Sequence, residues 1–127
     1  MQHTCPSSAG LVGTQLIGIV DRSGSVAYIK PSLPVDEDFR AAQLPLGPLE
    51  RRFRFSFICL EGNCPQWTGS RCGVIDDTLA ELASLPLPDS VGKCSIRATC
   101  RWFSQAGWDA CRVCSRLVTD LTLDPVP

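Results

Sequence analysis

The segment Glu50-Arg51-Arg52-Phe53-Arg54-Phe55-Ser56-Phe57-Ile58-Cys59 carries the clearest periodicity in the chain. Phe53, Phe55 and Phe57 alternate with Arg52, Arg54 and Ser56, and a period of two sorts residues onto opposite faces only in an extended strand. The segment therefore reads as a half-buried strand over 50–58, with its aromatic face inward and its basic face in water. An anion or acidic partner on Arg52 and Arg54 is the minor alternative. The strand runs into the first of a dense series of cysteines, so sheet and thiol chemistry meet at Cys59.

Upstream, 14–20 and 25–29 are short β-rich runs around Asp21-Arg22-Ser23-Gly24, which carries turn residues. This predicts a hairpin with a loop of about four residues, its second strand ended by Pro31 and Pro34. Asp36-Glu37-Asp38 precedes Phe39-Arg40-Ala41-Ala42 and suits the start of a short helix, because acids there face the positive end of its dipole. Downstream, 59–73 is a Gly, Pro and Cys loop. A helix is expected over 76–83 with Leu79 and Leu82 on one side, and a short connector over 85–88. Two short helices follow over 95–106 and 108–118, divided at Gly107, and the tail 119–127 reads as extended.

The whole chain, 1–127, is read as a single metal-binding domain. Its 127 residues are 44% hydrophobic and 20% charged, near globular averages, which excludes wholesale disorder. A net charge of −1 excludes a globally basic nucleic-acid binder. The arginines and aromatics interleaved over 97–112 leave single-strand stacking as a minor reading, so nucleic acid is not the expected partner. No apolar run is long enough to span a membrane, and none is expected as a partner. The start of the chain shows no charged n-region followed by an apolar stretch, so the expected location is the cytoplasm, where thiols stay reduced.

Eight cysteines are what any account of function must explain. Cys59-x4-Cys64-x7-Cys72 forms one group, Cys94-x5-Cys100-x10-Cys111-x2-Cys114 a second, and Cys5 stands apart. Thiolate is a soft ligand that selects zinc, copper(I) or iron–sulfur clusters. Gly62, Pro65, Gly69 and Gly73 supply the turns that bring sulfurs to one centre, and Cys111 and Cys114 at i and i+3 share a face of a helical turn. Only Cys111–Cys114 has unambiguous zinc-knuckle spacing, and the lone histidine, His3, excludes a Cys2His2 finger within these groups. Gaps of five, seven and ten suit a larger cluster. The compact C-x2-C-x2-C-x3-C run of bacterial ferredoxins is absent.

Lys93, Arg97, Arg101, Arg112 and Arg116 stand against Asp109 alone over 91–118, a local surplus that would stabilise an anionic centre. Each arginine taken alone also fits a solvated face. Trp67, Trp102 and Trp108 each lie two or three residues from a cysteine, and they read as core that also keeps water from a cluster. A Walker or Rossmann loop is absent. The single histidine leaves a Ser–His–Asp or Cys–His site without a base, and Asp36–Asp38 and Asp76-Asp77 are helix starts rather than catalytic pairs.

The expected fold class is α+β: a small antiparallel sheet in the N-terminal half, then short helices and cysteine-rich loops around one or two metal centres. The metal-ligand candidates are Cys5, Cys59, Cys64, Cys72, Cys94, Cys100, Cys111 and Cys114. The leading reading is an iron–sulfur protein with one or two [4Fe–4S] clusters, an electron carrier, redox sensor or accessory to a larger redox or regulatory protein. The alternatives are a structural zinc module for protein interaction and a disulfide-bonded secreted module. Two centres are favoured over one, and two require Cys5 to fold back onto the rest of the chain.

Overall fold

The computed structural model describes residues 2–82, 84–87 and 91–117. Four strands, β1 (Thr4–Ser8), β2 (Gln15–Val20), β3 (Val26–Pro34) and β4 (Phe53–Ile58), form one sheet in the order β1-β4-β2-β3. Every pairing in it is antiparallel. Among the described residues five short α-helices accompany it, α1 (Glu37–Gln43), α2 (Leu49–Arg52), α3 (Gly73–Leu82), α4 (Arg101–Ala106) and α5 (Trp108–Cys114), with three 3₁₀ turns over Leu44–Leu46, Glu61–Asn63 and Arg97–Thr99. The α+β architecture expected from the sequence is present.

The β2–β3 hairpin turns where Asp21 satisfies the loop. Its carboxylate accepts from the Ser23 amide at 2.9 Å, the Ser23 hydroxyl at 2.6 Å and the Ser25 amide at 3.1 Å, and Gly24 takes φ +85°. Contrary to expectation, β3 does not stop at Pro31 but continues to Pro34. It is an edge strand, where proline's missing N–H breaks no ladder, and the β2–β3 register shifts between Leu16 and Gly18. Helix α1 starts as expected, with Asp36 accepting from the Phe39 amide at 2.8 Å. Residues 49–52 form a helical turn rather than the beginning of the aromatic strand.

The larger correction concerns the faces of β4. A strand between β1 and β2 has both faces available for covering, and both are used. Phe55 packs with Leu16, Val35 and Leu49 under α1 and α2, with Phe39 and Phe53 in edge contact beside them. On the other face Arg54 and Ser56 are each only 1% exposed, and Arg54 bonds to Cys114 and Leu117 of the cysteine-rich half, so this face is not solvated. Phe57, expected inside, is 43% exposed, because α1 and α2 cover only the Phe53–Phe55 end of the strand.

The cysteine-rich half has its own core of Ile75, Cys100, Trp102, Ala110 and Val113, with Leu79 and Leu82 against it. Helix α3 begins at Gly73, three residues before the expected start. Asp76 instead pairs with Arg71 at 2.9 Å and accepts from Gln105 at 3.1 Å. The helix expected over 95–106 is broken at Cys100, whose extended backbone forms a parallel bridge to Thr4. Only α4 follows it. The expected helix end at 83, the end of the last helix at 118, part of the 85–88 connector and the tail 119–127 lie outside the described residues. Among the described residues no helix is long and apolar enough to cross a membrane.

Candidate metal centre

The structure divides the eight cysteines four and four around two cavities. The first, of about 350 Å³, is bordered by Cys5, Cys59, Cys64 and Cys72. The second, of about 360 Å³, is bordered by Cys94, Cys100, Cys111 and Cys114. All eight are free thiols, and Cys100 is the most buried.

Local structure explains how seven of the eight cysteines come to line their cavities. Cys5 comes from β1, a strand the sequence pattern did not reveal, which pairs Cys5 with Phe57 of β4. The same pairing brings Cys59 alongside, its amide donating to the His3 carbonyl at 2.9 Å. Cys64 closes a 3₁₀ turn over Glu61–Asn63. Cys72 is clamped from both sides by Gln105, which accepts from its amide and donates to its carbonyl, each at 2.9 Å. In the second set, Cys111 and Cys114 come from one helix, α5, and Cys100 from the extended link before α4.

Trp102 is 2% exposed and borders both cavities, so it partitions them. The Thr4–Cys100 bridge, reinforced by a 2.7 Å hydroxyl contact between Thr4 and Thr99, joins the two cysteine sets at the backbone. The other tryptophans depart from the expected core role: Trp67 is half-buried beneath Arg101, and Trp108 is 56% exposed between Phe103 and Arg97.

Among the described residues, no three His, Cys, Asp or Glu side chains gather as a ligand set for a single ion. A tetrahedral zinc site holds its sulfurs at about 2.3 Å from one point, which leaves no open volume between them. Here the four cysteines of each set line a cavity of about 350–360 Å³. Four thiolates are the donor number that a [4Fe–4S] cluster takes in general.

The electrostatics favour an anionic occupant. Arg101 borders the first cavity and Arg97 the second, and the Nε of each is buried without a hydrogen-bond partner. A buried unpaired donor is costly and calls for an acceptor. Burial pushes the Cys100 thiol up to about 12, and burial likewise raises Cys5 and Cys111. Arg97 opposes the shift at Cys111. Thiols held neutral by an apolar environment ionise when a metal supplies the opposing charge, with release of protons.

Of two residues that touch the Cys114 sulfur, the sequence reading missed Tyr28 and had Arg54 only as a minor anion or acidic-partner contact. The Tyr28 hydroxyl donates to the Cys114 sulfur at 2.8 Å. Arg54 donates to the same sulfur at 3.2 Å, to the Cys114 carbonyl at 3.1 Å and to the Leu117 carbonyl, while its guanidinium lies over the Trp102 ring. The signal for Arg54 was its place opposite Phe53 and Phe55 on a strand that leads into the cysteines. Only knowledge that the strand is central turns that place into burial. Nothing in the sequence around Tyr28 marks it.

Compared with protein-family models, curated proteins and solved structures, the chain finds no match.

Proposed function

We propose that this chain holds two [4Fe–4S] clusters, one on Cys5, Cys59, Cys64 and Cys72 and the other on Cys94, Cys100, Cys111 and Cys114. It serves as a one-electron carrier or accessory for a larger redox or regulatory protein, in a reducing compartment such as the cytoplasm. The observation that carries this reading is the four-and-four division of the cysteines around two cavities, each edged by an arginine with an unpaired buried N–H. Bound clusters supply reversible one-electron storage. The chain's own residues hold them, exclude water through Trp102 and the Ile75–Val113 core, and offset their negative charge through arginine.

The test is metal and sulfide analysis of anaerobically purified protein. The expected result is brown protein with about eight iron and eight inorganic sulfide per chain, four per cluster. Cys64→Ala and Cys111→Ala each lower bound iron, the first by acting on one set and the second on the other. Colourless protein with stoichiometric zinc overturns the reading in favour of a structural zinc module. Metal-free protein with oxidised cysteines overturns it in favour of a disulfide-bonded module.

A further inference from the structure

The surroundings of the two cysteine sets differ in a way that bears on where an electron resides. At the first cavity the cationic side chain is Arg101, and it is neutralised by Glu61 at 2.8 Å. The sulfur contacts at Cys5 are uncharged: the Ser7 amide at 3.5 Å and the Ser8 side chain. At the second cavity, Arg54 is 1% exposed and bonds to one sulfur and two carbonyls. Arg97 lines that cavity and acts on Cys111, and no carboxylate among the described residues lines it. The Cys114 sulfur receives both a phenol O–H and a guanidinium N–H.

Reduction adds one negative charge to a cluster. Donors to its sulfurs and buried positive charge stabilise that added charge and raise the reduction potential. We propose that the two centres are unequal, and that Tyr28 and Arg54 make the centre on Cys94, Cys100, Cys111 and Cys114 the resting place of the first electron. This rests on the iron–sulfur reading above. An electron delivered to the first centre by a low-potential one-electron donor passes to the second. The first centre is oxidised from the 1+ to the 2+ core state and the second is reduced from 2+ to 1+. No bond forms or breaks, and no proton moves. Trp102, shared by both cavities, is the side chain across which the transfer runs.

The experiment is an anaerobic redox titration of the cluster-loaded protein with dithionite, followed by electron paramagnetic resonance, in the native chain and in Tyr28→Phe. The native chain is expected to show two separate one-electron steps. Tyr28→Phe removes one donor and keeps the ring, and should make reduction in the upper step about tenfold less favourable, a downward shift of about 59 mV. The lower step stays in place. Arg54→Lys keeps a charge but loses the forked contact, and should lower the same step with both clusters retained. A merely structural role for Tyr28 would change iron content or stability without moving one potential selectively. Movement of the lower step, equal movement of both, or movement of neither overturns the assignment. Failure of the cluster reading is separate and shows already in the native chain, as absent iron and sulfide.

Discussion

Replacing Trp102 with alanine tests the shared partition directly. Trp102 is 2% exposed and packs in the core with Ile75, Ala110 and Val113 while bordering both cavities. Truncating a fully buried tryptophan leaves a large void and costs about 3–5 kcal/mol. For a chain of this length that corresponds to a drop in apparent melting temperature of roughly 10–20 °C. The comparison variant is Ile17→Ala. Ile17 is equally buried, at 1% exposed, but borders only the second cavity. Its truncation costs about 2–5 kcal/mol. Anaerobic thermal unfolding followed by circular dichroism, with iron retention read in parallel, separates the two. Trp102→Ala should weaken iron retention at both cysteine sets, and Ile17→Ala at the Cys94 set alone. A Trp102→Ala protein that melts within a degree or two of the native chain, or that releases iron from one set only, would refute the partition.

Three further outcomes follow from local geometry. A Cβ at Gly18 would stand 2.6 Å from the buried Val26 side chain and 3.2 Å from the Ala27 carbonyl, so Gly18→Ala should destabilise the sheet by about 1–3 kcal/mol, measured by chemical denaturation. Asp36→Ala removes the side-chain acceptor at the start of α1 and should cost about 1 kcal/mol in the same assay. Arg71 beside Asp76 holds that carboxyl below its ordinary value of 3.8, so the contribution of the pair is full above that value and is lost as pH falls through the lowered one. Native and Asp76→Asn proteins should therefore differ in stability at neutral pH and converge in strong acid, and a constant difference across that range would exclude the linkage.

The sequence disclosed what depends on short-range pattern. The hairpin around Asp21–Gly24, the Asp36 helix start and the β4 alternation each follow from a few adjacent residues. It left hidden what depends on long-range pairing. Strand β1 is five residues long and contains Cys5-Pro6, a poor strand signal, and it exists because β4 provides an edge for it. Without β1, Cys5 has no address. The burial of Arg54 follows likewise from the position of β4 between two other strands, a fact of topology. Cys111 and Cys114 on a single helix face were legible because i and i+3 spacing is local geometry. The break at Cys100 was not, because the bridge to Thr4 that holds it extended lies far away in the chain.

The placement of Cys5 beside Cys59 and Cys72 also bears on how the molecule comes together during synthesis. One quartet is drawn from residues 5 to 72 and the other from 94 to 114, so the first ties off a loop roughly threefold longer. Closing the longer loop costs about 1 kcal/mol more in chain entropy. On the proposed reading, inorganic sulfide and iron at the amino-terminal quartet act as the stronger fastener, restraining a stretch the nascent polypeptide would otherwise sample freely. A fusion partner or affinity handle attached ahead of Thr4 would tug on that fastener, whereas one placed after the C-terminal helices would leave it alone.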